Sequence, residues 1–187
     1  MIIHAAKIHE KTRGHCDIID ITNKVKEEVE RQKIRRGLAT LFVSGSTASL
    51  TTIEYESGVL KDLQELLEKL IPSNRKYHHD DRWGDDNGFS HLRASLLGPS
   101  LQVPIDDGKL MLGTWQQIVL LDFDPSTRAP GMAGSHSLGI PPANRGVVLS
   151  ERSESKDNAS GAAGLPGGLH NRPRMREIVV QIMGEIE

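Results

Sequence analysis

Apolar residues recur at helical spacing in two stretches of this chain and at strand spacing in several others. Ile2 to Ile8 and Cys16 to Ile19 are short and rich in β-branched residues, and Thr12-Arg13-Gly14 supplies a turn between them, which predicts two strands joined by a tight connection. Ile21, Val25 and Val29 then repeat every four residues behind Asp20 and Thr22, either of which can cap a helix. That helix is predicted to run through a basic last turn of Lys33, Arg35 and Arg36 and to stop at Gly37. Leu38 to Val43 is a compact apolar run ending at Gly45, the pattern of a buried strand. From Glu54 or Gly58 to Ile71, Val59, Leu63, Leu66, Leu67 and Leu70 fall on one helical face and Lys61, Glu65, Glu68 and Lys69 lie outside it. Those leucines are expected in the core, Glu54 is expected to cap the helix, and Pro72 blocks its continuation.

Further along, Leu92 to Leu97 forms a short apolar helix that Gly98 can close and Ser90 can cap. Leu101 to Ile105 and Lys109 to Phe123 flank Asp106-Asp107-Gly108, whose Asp-Gly pair suits the positive φ values of a hairpin turn. Glu177 to Met183 has the pattern of a last strand. The chain between Pro125 and His170 differs in kind: more than half of it is Gly, Pro, Ser and Ala, and it has no aromatic residue. Such a composition cannot bury enough apolar surface to offset its ordering entropy, so 125–170 is expected to be a disordered insertion in a single domain spanning 1–187.

Composition narrows the classes of function. The 187 residues suffice for one domain, and a formal charge of -2 carries no basic footprint for nucleic acid. No apolar run approaches membrane-spanning length, and the start of the chain lacks a leader pattern, so a cytoplasmic protein is expected. The one cysteine, Cys16, cannot form an internal disulfide and is expected as a small buried hydrophobe.

The chemistry concentrates between Tyr77 and His91. His78, His79 and His91 stand there with Asp80, Asp81, Asp85, Asp86 and the amide of Asn87. Imidazole beside carboxylate suits a divalent cation or a proton-transfer pair, while Asp85-Asp86-Asn87-Gly88 is also ordinary turn chemistry. Gly45-Ser46-Thr47-Ala48-Ser49 follows a strand and can cradle a phosphate with amides and hydroxyls, although it lacks the ending of a Walker loop. Gly113-Thr114-Trp115-Gln116 interrupts a long strand pattern, where a glycine marks a bulge or the approach of a ligand, and Trp115 offers a ring for stacking or for the core.

Taken together, Gly-Ser-Thr-Ala-Ser-Leu-Thr-Thr-Ile-Glu-Tyr-Glu at 45–56, Trp-Gly-Asp-Asp-Asn-Gly-Phe-Ser-His-Leu at 83–92, Leu-Leu-Gly at 96–98 and Leu-Gly-Thr-Trp-Gln at 112–116 resemble the YjbQ family, also called UPF0047. The resemblance covers nearly the whole chain outside 125–170. It implies an α+β fold, a largely antiparallel β-sheet with two longer helices and one short helix, assembled as a cytoplasmic homotrimer. It also implies a thiamine-phosphate synthase activity, which joins a pyrimidine diphosphate to a thiazole phosphate. Carried onto this chain, the family's recurrent polar positions are Glu54, Asp62, His79, Asp80, Asp86, Asn87, Ser90, His91, Thr114, Trp115 and Gln116.

On that basis His79, Asp86 and His91 are expected to hold a divalent metal (Zn, Mn or Mg), in one pocket with Trp115 and Gln116. Glu54, Asp62, His79, His91 and Gln116 are expected to be catalytic. Ser46, Thr47, Ser49, Asn87, Thr114 and Trp115 are expected to bind a small phosphorylated metabolite. Many relatives carry histidine where this chain has Gly45. A metal-dependent phosphohydrolase and a non-catalytic trimer that binds metal or small anions are the alternatives.

Overall fold

The computed structural model describes residues 1–125 and 174–186, and the predicted insertion lies outside them except for Pro125. Eight strands and four helices follow in order: β1 (Ile2–Thr12), β2 (Asp17–Asp20), α1 (Thr22–Arg31), β3 (Ile34–Val43), β4 (Ala48–Ile53), α2 (Ser57–Leu70), α3 (His78–Trp83), α4 (Gly88–Leu97), β5 (Ser100–Asp106), β6 (Lys109–Leu110), β7 (Gln117–Asp122) and β8 (Arg174–Ile186). They make an α+β fold of two antiparallel sheets, one in the order β1-β8-β3-β5-β6 and one in the order β2-β7-β4.

Alternation along the strands builds two apolar layers. Ile178, Val180 and Ile182 of β8, Ala39, Leu41 and Val43 of β3, and Ile118 and Leu120 of β7 bury one set of side chains with Val25 and Val29 of α1 and with Ile21, which precedes that helix. The other face of β7, Val119 and Leu121, continues through Phe123 and packs with Cys16, Ile18, Leu67 and Ala94 beneath α2 and α4. β7 is therefore apolar on both faces, and each of its fully buried leucines is worth roughly 2–3 kcal/mol of transfer free energy. β8 sits between β1 and β3, paired with β1 from Ile2↔Gly184 to Thr12↔Arg174 without a register break. Gly37 and Gly184 face each other across β3 and β8, and a Cβ on either would overlap the partner strand's backbone, so the close approach needs both glycines.

Several expectations are corrected. β1 and β2 both form on either side of the turn, but the first is longer than expected, reaching Thr12, and they join different sheets, β1 beside β8 and β2 beside β7. α1 ends at Arg31, Lys33 takes a positive φ of 51°, and Arg35, Arg36 and Gly37 belong to β3. Burial of Ile34 against the core, at 1% exposure, outweighs the helical preference of the basic run. β3 is buried on one face only, leaving Phe42 46% exposed. In α2 only Leu67 is fully buried, while Leu66 and Leu70 face outward. Its cap is Glu56, not Glu54: the Glu56 carboxylate accepts from the N–H groups of Gly58 (2.8 Å) and Val59 (3.2 Å). Those bonds, that from Gly58 foremost, hold the Glu56 carboxyl below its ordinary range. The Asp-Gly hairpin forms with Asp107 at φ 48° and Gly108 at φ 74°, but its second arm is only β6. The chain then turns through 113–116 and enters the other sheet as β7.

Candidate functional site

Asp80 organises the histidine segment. Its Oδ2 accepts from the Tyr77 N–H and its Oδ1 from the Gly88 N–H, both at 2.9 Å, so one carboxylate ties the start of α3 to the start of α4. A Cβ on Gly88 would stand 2.5 Å from that of Tyr77, and glycine there permits the approach. The two helices thereby bring His79 and His91 together, with ring centroids 4.5 Å apart and planes tilted by 54°. Nε2 of His79 lies 3.4 Å from Oδ1 of Asp85, at ion-pair distance without hydrogen-bond geometry. The buried Oδ1 of Asn87 likewise has no hydrogen-bond partner among the described residues.

The carboxylate beside His79 is thus Asp85. Asp86, the expected ligand, is exposed in a left-handed conformation at φ 53°. Among the described residues, no group of three or more His, Cys, Asp or Glu side chains is arranged to hold a metal ion. One chain supplies an imidazole pair and a neighbouring carboxylate, and Asp86 does not complete the expected three-ligand set.

Ser90 is not a cap but lies inside α4, fully buried, and its hydroxyl donates to the Phe123 carbonyl at 2.7 Å. The Phe123 N–H donates in turn to the Thr47 carbonyl at 3.0 Å. The imidazole-bearing helix and the serine-threonine loop therefore meet at the C-terminal end of β7. Ser49, also fully buried, donates from its hydroxyl to the Ala94 carbonyl at 2.9 Å, which anchors α4 on β4 and leaves that hydroxyl committed to structure. Ser46 is exposed and Thr47 buried.

Glu54, Thr114, Trp115 and Gln116 lie at the other end of β7, and Asp62 is within α2. Gln116 donates to Thr52 Oγ1 at 2.8 Å and accepts from the Gly113 N–H at 3.0 Å, and Gln117 accepts from the Tyr55 N–H at 2.8 Å. Glu54, Asp62 and Thr114 are exposed, and Trp115 is 71% exposed. From Gln116 to Phe123 an extended chain covers about 23 Å at roughly 3.3 Å per residue. Within one chain the expected single pocket is two groups of residues at opposite ends of a strand.

A buried ionic cluster, absent from the expected set, sits beside the loop. Asp122, fully buried, receives Nε (2.8 Å) and Nη2 (2.5 Å) of Arg176, the Thr12 hydroxyl, and the Asp124 N–H (3.1 Å). Nη2 of Arg176 also reaches Thr47 Oγ1 at 2.9 Å and Asp124 Oδ2 at 3.3 Å, and Arg174 pairs with Asp124. Burial alone would raise the Asp122 carboxyl, but the bonds from Arg176 and Thr12 outweigh it and hold the group below the ordinary carboxylate value. The signal in the sequence is the alternation Asp122-Phe123-Asp124 and Arg174-Met175-Arg176, which puts two like charges on one face of each strand, matched in sign across the gap.

Residues 6–138 match the family described as UPF0047 protein YjbQ-like. A UPF0047 protein of Archaeoglobus fulgidus is 45% identical over 119 residues, covering 63% of this chain and 90% of its own length. The UPF0047 protein YjbQ of Salmonella typhimurium is 37% identical over 115 residues, 60% of this chain and 80% of the relative. The crystal structure of a YbjQ-like protein of unknown function from Sulfolobus solfataricus superposes with a TM-score of 0.69 at 26% identity, covering 98% of this chain and 99% of that one. With the family matched over more than half its length, and a relative covered almost end to end, this chain belongs to the UPF0047 YjbQ-like family.

Proposed function

We propose that the protein binds a small phosphorylated metabolite at the C-terminal end of β7 and acts there as a transferase of the thiamine-phosphate synthase type. The carrying observation is the His79–His91 pair, ring centroids 4.5 Å apart beside Asp85, with His91 on a helix hydrogen-bonded to the same residue, Phe123, as the Gly45–Thr47 loop. In the proposed reaction the thiazole nitrogen forms a C–N bond to the pyrimidine methylene carbon as the C–O bond to diphosphate breaks. The diphosphate departs with the electron pair. A protonated imidazole beside the departing oxygen stabilises that charge, and Ser46, Thr47 and Asn87 would orient the phosphorylated groups. A divalent cation would stabilise the same charge when bound. His79 and His91 offer it two ligands, and a third would have to come from outside the described residues.

In the homotrimer that belongs to this reading, a second copy would bring Thr114, Trp115 and Gln116 to the histidines, so Trp115 could stack on a heterocycle it cannot reach in its own chain. A soluble metabolite and a buried free thiol suit a cytoplasmic setting. No helix of the described residues is long and apolar enough to cross a membrane.

The test is turnover of pyrimidine diphosphate with thiazole phosphate by the wild type and by His79→Ala/His91→Ala, with mass measured by sedimentation. Loss of at least about 100-fold in rate is expected for the double variant, the scale of positioned acid–base groups. Equal rates would remove the histidines from the mechanism. Release of phosphate from simple esters without the thiazole would make the protein a phosphohydrolase, and saturable binding without turnover would make it a binding protein. A monomeric mass would detach Trp115 from the site.

A further inference from the structure

We infer that Arg176 is an oxyanion-binding residue, and that the group it receives is a phosphate or diphosphate seated on the Ser44-Gly45-Ser46 turn. The inference rests on the proposed site only for its location and stands whichever reaction occurs there.

Two of the guanidinium's three nitrogens are accounted for by structure. Nε and Nη2 cross from β8 to β7, where they saturate Asp122 and touch Thr47 and Asp124, fixing the plane of the group. A sheet-to-sheet cross-link would be complete at that point. Nη1 takes part in none of those bonds, and it points at Gly45: a Cβ added there would stand 3.4 Å from it. Gly45 has φ +124°, a conformation that side-chain-bearing residues rarely adopt, and its neighbours Ser44 and Ser46 are exposed. The loop thus leaves a gap over Nη1 where any other residue would place carbon.

The backbone supplies further donors. The Ser44 N–H is taken by the Glu177 carbonyl at 3.2 Å, but among the described residues the N–H groups of Gly45 and Ser46 have no backbone carbonyl partner. Successive free amides around a left-handed glycine, with a pre-oriented guanidinium beneath, form an anion-binding concavity. Asp122 and Asp124 balance Arg174 and Arg176 in formal charge, so directed N–H groups, and not net positive charge, would hold the anion. Asp122 and Asp124 then have a second role, as positioning residues that keep the guanidinium in place before a ligand arrives.

Calorimetric titration of inorganic phosphate and of pyrophosphate into the full-length protein tests this, using wild type, Ser46→Glu, Arg176→Lys and His79→Ala/His91→Ala. Ser46→Glu sets a carboxylate at the turn without disturbing the buried cluster, so it keeps the wild-type melting temperature and loses at least about tenfold in affinity. Arg176→Lys retains the charge but loses the planar fork, and is expected to weaken pyrophosphate as strongly. The histidine double variant retains binding of inorganic phosphate within about threefold. Absence of saturable binding by the wild type, or unchanged affinity in folded Ser46→Glu, overturns the inference. Should Arg176→Lys fail to fold, Ser46→Glu decides alone. Phosphate binding in a protein inactive as a synthase leaves the anion site standing and removes only the proposed reaction.

Discussion

Arg176→Met should be among the most damaging single substitutions in the described fold. Methionine matches the length of the stem but removes both bonds from the guanidinium to Asp122, a carboxylate with no exposed surface. The Thr12 hydroxyl and the Asp124 N–H remain, too little to compensate a buried charge, and breaking such a pair costs about 3–5 kcal/mol. For a protein of this size that is on the order of 10 °C in melting temperature. The pH dependence separates this cause from lost packing. In the wild type the folded-state carboxyl lies below its reference value of 3.8, so its stabilisation is present above that pH and is lost as pH falls through the lower folded value. In the variant burial acts largely unopposed and raises the group, so the penalty is present at neutral pH and relieved as acid protonates Asp122. Urea denaturation of both proteins at intervals from pH 7 to pH 4 should therefore show the stability gap narrowing. A gap below about 1 kcal/mol at pH 7, or one constant across the range, would refute the electrostatic account.

Ser90→Ala leaves the Phe123 carbonyl, in a fully buried residue, without its side-chain donor. It should cost about 1–3 kcal/mol in urea denaturation and weaken any activity that needs His91 in place. Burial pushes the Cys16 thiol up to about 11 from 9.0, so at pH 8 a chromogenic disulfide should label the native protein about 100-fold more slowly than the urea-unfolded chain; equal rates would contradict the burial. Excising residues 125–170 shortens the connection from β7 to β8 from roughly 50 residues to roughly 5, which predicts a gain of about 2 kcal/mol from loop closure. The two ends already meet, since Arg174 pairs with Asp124 and donates to the Pro125 carbonyl at 3.1 Å. Loss of cooperative melting in the excised protein would count against the single-domain reading.

Much of the secondary structure was legible because local signals agreed with the fold. The leucine spacing of α2, the stop at Pro72 and the Asp-Gly turn of the β5–β6 hairpin needed no tertiary information. Sheet membership did need it: nothing in Thr12-Arg13-Gly14 tells a hairpin from a corner where the chain changes sheet, and the choice is made by β8, more than 150 residues away in sequence. The six residues of α3 are too few to show a period, and Asp80, which holds that helix in place, looks in sequence like one more ligand. The histidine pair was visible as a local cluster. Its partner carboxylate was not, because Asp85 and Asp86 are distinguished only by the backbone turn that sends Asp86 outward. For Arg176 the sequence offers only the alternation of like charges on β7 and β8, since the residues that orient it come from β1, β7 and the loop before β4.

The central place of β8 governs how the protein can be made. While the ribosome has released only the chain through Asp124, β1 and β3 have no strand between them, and the longest ladder of the fold has one side missing. The smaller β2-β7-β4 sheet needs nothing synthesised after Asp122. Biogenesis is thereby ordered, the smaller sheet able to pair during translation and the larger one closing only after residue 186 has emerged. A stop codon upstream of Arg174 would release a chain with two unsatisfied strand edges, a substrate for aggregation and proteolysis.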